Sequence, residues 1–359
     1  MVGKVLTLAM LSASCVSYLE STRATYQQKN EQDAGRNFIC ENGQVYSMHS
    51  LYRTRERFMS NSGDVRWIVG PRTSKNVVFI PQKQREIPMS AFSHNSVLEG
   101  IAFEDDSRVR SIGHSAFFHC YRLFSIDIPW SVVSISGSAF NMCSNLCSVT
   151  FARGSCLETI GDWAFNCCTS LSAIIIPSSV TSIGTCAFNG CYNLSVVTFE
   201  PNSRLTAISW GIFNNCVNLS AITIPDGVIS IDSFAFRECI NLATVIIPNS
   251  VTTIRSWAFS NCFNLPTVTI PRSLTTICAS AFDGCRSLQS VTISSPLTVI
   301  DAQAWNGCPL RNITLDFNVA DTPQGDGAAF LQNNFGAKPE CKARFKDGAF
   351  NCNQNGVWE

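Results

Sequence analysis

Charge is scarce in this chain and evenly divided: 14% of its 359 residues are charged, with 26 Lys and Arg against 26 Asp and Glu. That balance gives no net field towards nucleic acid or an anionic membrane, which counts against a general nucleic-acid binder. Histidine is nearly missing, with four copies, and no G-x-S-x-G elbow, P-loop or H-E-x-x-H occurs. Hydrolytic triads, nucleotide loops and zincin sites therefore find no foothold. No C-x-x-C pair is present either, and Cys143-x-x-x-Cys147 alone is a poor zinc signature. No metal, cofactor or catalytic residue is expected. No apolar run reaches the length of about 18 residues that a membrane-spanning helix needs, so no transmembrane segment is expected.

What remains is an apolar content of 45%, enough for a sizeable core. Residues 1–17 read as a secretory signal: Lys4, an apolar run from Val5 to Leu11, then small residues at Ser12, Ala13, Ser14 and Ser17. Residues 18–35 are polar and read as a flexible leader. Residues 36–76 regain apolar character and read as an N-terminal cap for whatever follows, with Arg53, Arg55, Arg57 and Arg66 on a solvated face.

From 77 to 315 one sentence is repeated about ten times, with an aromatic anchor at Phe92, Phe117, Phe140, Phe165, Phe188, Phe213, Phe236, Phe259, Phe282 and Trp305. The steps are 25, 23, 25, 23, 25, 23, 23, 23 and 23 residues. Such a period means a solenoid in which each turn buries its apolar face against the next. The copy at 160–177 reads I-G-x-x-A-F-x-x-C-x-x-L-x-x-h-x-h-P, where h is apolar. Alternation in its last residues predicts a short strand with Ile174 and Ile176 inside and Ile175 outside. The I-G-x-x-A-F part is too short for an ordinary helix and predicts a 3₁₀-like or irregular turn. Pro129, Pro177, Pro225, Pro248 and Pro271 end their strands. The long copies carry two extra residues after the strand, within 104–108, 152–156 and 200–204, which bulge from one edge. Residues 316–359 lose the pattern and read as a linker and C-terminal cap.

This unit resembles the leucine-rich repeats of the BspA-like surface-protein family. The resemblance covers about residues 77–315, and it implies a secreted or surface protein that acts in adhesion or cell–cell contact without catalysis. The edges depart from the pattern, with Pro88 for Gly and Asn95 for Cys in the first copy and Trp305 for Phe in the last.

Cysteine is plentiful, 18 in all, and nine lie three residues after their anchor, from Cys120 to Cys308. They read as a ladder of free thiols that fills the turn. The off-ladder cysteines Cys40, Cys147, Cys156, Cys167, Cys186, Cys278, Cys341 and Cys352 are the better disulfide candidates, Cys341 with Cys352 first. His94 and His119 occupy one repeat position in successive copies and should stack, as surface histidines on a permissive turn.

The outward strand positions carry the functional question. They comprise Asp127, Ser148, Thr150, Ala173, Ile175, Val196, Thr198, Ala221, Thr223, Thr244, Ile246, Thr267, Thr269, Ser290 and Thr292. This face is small, hydroxyl-rich and almost uncharged, and suits broad contact with a protein or glycan partner better than steering of a charged ligand. Two alternatives stand beside adhesion: a wall or matrix component crosslinked through its cysteines, and an ice-binding surface on the threonines. Glycosylation sequons start at Asn193, Asn218 and Asn312.

Overall fold

The computed structural model describes residues 76–359 except 296–298 and 323–324, together with strand segments at 37–39, 45–47 and 68–71. The signal and leader readings, Cys40 and most of the N-terminal cap lie outside the described residues. The chain divides into two compact units, Met1–Phe79 and Ile80–Glu359. In the first, Asn37–Ile39 runs antiparallel to Val45–Ser47, and Ile68–Pro71 antiparallel to residues 76–79.

The second unit is the solenoid, and each turn contributes two strands. The longer one falls where the alternation predicts it, as in Ser125–Ile128, Ser148–Phe151 and Ala173–Ile176. Ile126 and Ile128 are buried and Asp127 between them is exposed. Most neighbouring turns pair in parallel and in register, Thr150 beside Asp127, Thr198 beside Ile175 and Ile246 beside Thr223, and the pairing breaks after Ser148–Phe151, Val196–Phe199 and Thr244–Ile246. Equivalent repeat positions therefore form columns, and one residue type repeated in sequence becomes one stripe in space.

The I-G-x-x-A-F part is more regular than the sequence predicts. Its Ile ends a two-residue strand, as in Ser134–Ile135, Thr159–Ile160 and Ser182–Ile183, and these pair in parallel along a second side of the solenoid, with a break between Ser182–Ile183 and Ala207–Ile208. The rest is a chain of hydrogen-bonded turns. Among the described repeat copies the turn becomes a 3₁₀ segment only in the last, at Ala302–Trp305. The turns are laddered too: Phe117 N donates to Ala139 O at 2.8 Å and Phe140 N to Ala164 O at 2.7 Å. Their buried backbone groups are thus satisfied by the next rung, as a dry core requires. Left-handed backbone recurs two residues before and two after the anchor, as at Trp163 (φ 59°) and Cys167 (φ 55°) around Phe165.

The anchor rings form a continuous stack through the core. Phe92 to Phe117, Phe117 to Phe140 and Phe140 to Phe165 are each 5.1 Å between centroids and nearly parallel, and Trp305 lies 4.8 Å from Phe282. Phe335, at the end of the helix Gly327–Phe335, continues the stack beyond Trp305 at 5.8 Å. Asp326 caps that helix by accepting from Ala329 N at 3.1 Å. Lys342–Arg344 then pairs in parallel with Asn312–Leu315, and Ala349–Asn351 folds back on it antiparallel. Phe317, Phe330, Phe345 and Phe350 pack edge to face beneath these strands. The last turn's apolar end is covered in this way, which a solenoid needs for solubility.

The disulfide expected between Cys341 and Cys352 is not formed; both are free and buried. The two residues do lie together, with Cys352 N donating to Cys341 O at 2.9 Å. Their sulfurs turn to different partners: Cys352 Sγ accepts from Lys338 N at 3.3 Å, and Cys341 Sγ faces Lys342 O at 3.8 Å. Of the other described off-ladder candidates, Cys156, Cys167, Cys186 and Cys278 are free as well.

Candidate binding surface

Parallel register gathers the outward strand residues onto one face. Its exposure is uneven. Thr150, Thr198 and Thr292 are half-buried, whereas Thr223, Thr244, Ile246, Thr267 and Thr269 are exposed, as is Ala221. Ser148, Ala173, Val196 and Ser290 are half-buried beside them. Two isoleucines interrupt the hydroxyls, Ile175 at 53% and Ile246 at 54% exposure. Side chains that large spend solvation free energy when left in water, so a face bearing two of them gains when a partner covers it. Asp127 is the single carboxylate among these positions, and Thr150 Oγ1 donates to it.

Behind the face the thiol ladder has a defined job. Each ladder Sγ donates to the anchor carbonyl of the preceding turn: Cys120 to Phe92 O at 3.0 Å, Cys168 to Phe140 O at 3.2 Å and Cys308 to Phe282 O at 3.0 Å. Burial pushes the Cys120 thiol up to about 11 and holds Cys168 and Cys216 well above the usual thiol range. These groups are buried donors and lack the exposure that a reactive cysteine needs.

Asparagines form two further columns. Asn166 Nδ2 donates to Asn141 Oδ1 at 2.8 Å, Asn189 to Asn166 at 2.7 Å and Asn214 to Asn189 at 2.7 Å. An exposed column runs from Asn193 through Asn218 and Asn241 to Asn264, at 3.2, 3.3 and 3.1 Å. Two sequon asparagines, Asn193 and Asn218, are therefore ladder partners, and a glycan on Asn218 Nδ2 competes with that ladder. Asn312, the third, is exposed on the last rung of the strand face. His94 and His119 stand side by side, Nδ1 to Nδ1 at 3.2 Å, both on left-handed turn backbone. Among the described residues no three His, Cys, Asp or Glu side chains converge as metal ligands do. No helix among them is long and apolar enough to cross a membrane.

Sequence reasoning missed two surfaces. The short-strand sheet presents a second hydroxyl column, including Ser111, Ser134, Thr159, Ser182, Ser230, Thr253 and Thr276. Its signal is the hydroxyl residue before seven of the ten repeat isoleucines. Trp210, Phe234 and Trp257 line up on the turns, Trp210 5.2 Å from Phe234 and Phe234 6.4 Å from Trp257. Their signal is aromatic residues two or three before the anchor, where Ser90, Ser115, Ser138 and Ser280 stand in four other copies.

Short parallel strands stacked in register over an aromatic and thiol core define a leucine-rich repeat solenoid, a scaffold class. Residues 72–195 and 206–330 match the BspA type leucine rich repeat region (6 copies), and the chain belongs to that family. Among solved structures, a leucine-rich repeat protein from Bacteroides ovatus is 28% identical with a TM-score of 0.58, over 70% of this chain and 69% of that one. The pneumococcal vaccine antigen PcpA is 19% identical with a TM-score of 0.47, over 81% and 82%. A leucine rich cell surface protein from Faecalibacterium prausnitzii is 23% identical with a TM-score of 0.39, over 72% and 82%. No curated protein matches.

Proposed function

We propose that this chain is a secreted or cell-surface, non-catalytic recognition scaffold that binds a protein partner along its long-strand face. The observation that carries the reading is the pairing of broad small-residue surface with exposed Ile175 and Ile246. A partner protein gains by covering those isoleucines, while the threonines around them allow close approach and satisfy polar groups at the contact. The face holds no aromatic ring on which a sugar would stack, which favours protein over glycan there. Secretion rests on the leader-like residues 1–17.

The alternatives fare less well. A crosslinked wall component would have to rely on off-ladder thiols such as the exposed Cys156, because the nine ladder thiols are buried and already donate to carbonyls. An ice-binding face needs an uninterrupted threonine array, and Asp127, Ile175 and Ile246 break it. The test is capture from the native cell surface by the wild-type chain and by a variant with Thr198, Thr223 and Thr269 changed to Lys. The partner recovered by the wild type is expected to be lost by the variant.

A further inference from the structure

The alternation of long and short copies has a spatial result at one edge of the solenoid. Residues 104–108 and 152–156 belong to long copies, and the short turn Pro129-Trp130-Ser131 lies between them. The shorter turn is recessed, and an open cavity of about 440 Å³ forms over it. That is within the range of small-molecule sites, roughly 300–1,000 Å³. Its wall includes Arg85, Arg108, Arg110, Asp106, Trp130 and Cys156.

Three arginines thus face one aspartate. Arg85 and Arg110 occupy the same repeat position in successive turns, and their backbones are joined, Arg110 N donating to Arg85 O at 2.7 Å. Arg110 is fixed from the other side too, since its carbonyl accepts from Val133 N at 2.7 Å. All three arginines are exposed, and among the described residues none of them forms an ion pair, in contrast to Arg122, Arg237 and Arg255. The adjacent carboxylate of Glu104 is held by the backbone of a wall residue, accepting from Gln82 N at 2.8 Å. The floor is rigid: Ser131 Oγ, buried, donates to Val109 O at 2.8 Å. Trp130 is 53% exposed on a turn that this scaffold holds in place.

We propose that this edge cavity binds an acidic saccharide, a sugar carrying sulfate or carboxylate groups. The indole of Trp130 offers an apolar platform with a polar edge, which is how a sugar ring is held. The side-chain amide of Gln82, also in the wall, is placed for hydroxyl groups. The guanidiniums of Arg85, Arg108 and Arg110 are planar donors matched to the two oxygens of a carboxylate or sulfate. Phosphorylated peptides share the anionic group but lack a sugar ring to lay against the indole of Trp130. The site lies on the edge loops, away from the strand face, so its test stands whether or not that face binds a protein.

Cys156 gives the test a built-in reporter, because its exposed thiol lies in the wall of the cavity. Alkylation of Cys156 in the full chain is followed by peptide mass spectrometry, and binding is measured by calorimetry. The probes are a heparin-derived tetrasaccharide, a galacturonic acid tetramer, maltotetraose, inorganic sulfate and a phosphoserine peptide. The expected result is that one or both acidic oligosaccharides bind and slow alkylation of Cys156, while maltotetraose and sulfate do neither. Arg108→Gln with Arg110→Gln weakens that binding at least tenfold, and Trp130→Ala weakens it with the circular dichroism of both variants unchanged. Equal binding by the arginine variant, no protection of Cys156 by either acidic oligosaccharide, or tighter binding of the phosphopeptide would overturn the proposal.

Discussion

Cys191 Sγ donates to the carbonyl oxygen of Phe165, one turn back, at 3.2 Å. The same carbonyl also accepts from Cys168 N at 3.2 Å, so each anchor carbonyl is shared between its own turn and the next. Replacing Cys191 with Ala removes one of these two bonds and leaves a small void. The expected cost is roughly 1–2 kcal/mol in urea unfolding. Cys191→Ser keeps a donor and is expected to cost less. Equal losses for Ala and Ser would show that the thiol acts by volume alone.

Buried thiols make the solenoid sensitive to alkali. Unfolding returns each thiol to its ordinary value of 9.0, whereas burial holds Cys120 at about 11 and others higher in the folded chain. Below pH 9 both states keep these protons and the effect is absent. Above it the unfolded chain sheds protons that the folded chain retains, so stability falls as pH rises from 9 towards 11. The urea midpoint is expected to drop steeply over that window, and less steeply when ladder cysteines are changed to Ala. A flat midpoint would contradict the ladder's burial.

The inner asparagine column ends badly. Asn214 Oδ1 is buried and has no partner. The next turn offers Arg237 at the equivalent position, and its guanidinium pairs with Glu238 at 2.8 Å instead. Arg237→Asn supplies the missing amide donor at the cost of that surface pair. A satisfied buried acceptor is worth about 1 kcal/mol or more, and an exposed pair about 0–1. A net gain in stability is expected, read as a higher urea midpoint; a loss would refute column extension.

Gly184 is required by space. A Cβ there would lie 2.4 Å from Asp162 N and 2.6 Å from Gly161 C, both backbone atoms of the preceding turn. Neither can move without opening the short-strand sheet at Ser182–Ile183. Gly184→Ala is therefore expected to destabilise by more than about 2 kcal/mol, beyond the usual range for a surface change. A wild-type melting curve would show that the turns separate more easily than their pairing implies.

Much of this was legible in the sequence because a repeat turns position into place. Leu171, Ile174 and Ile176 could be read as core and Ile175 as surface from alternation alone, and Phe165 as a stacked anchor from its period. The second sheet was not legible, since a strand of two residues such as Thr159–Ile160 carries no alternation; it exists through pairing with its neighbours. Period alone gives Cys168 a filling role, and its bond to Phe140 O depends on the offset between turns. Spacing makes the extra residues at 104–108 an edge bulge. That they wall a cavity with Trp130 follows from the recess of the shorter turn between them, which spacing alone does not draw.

The strand face is the centre of the functional reading, and one comparison tests it most directly. Beads carrying the wild-type chain are scored for binding to the native cell surface beside two triple variants. One has Thr198, Thr223 and Thr269 changed to Lys on the long-strand face; the other has Ser230, Thr253 and Thr276 changed to Lys on the short-strand face. Loss of binding by the first with retention by the second is expected. Full binding by the long-strand variant would contradict that face as the recognition surface.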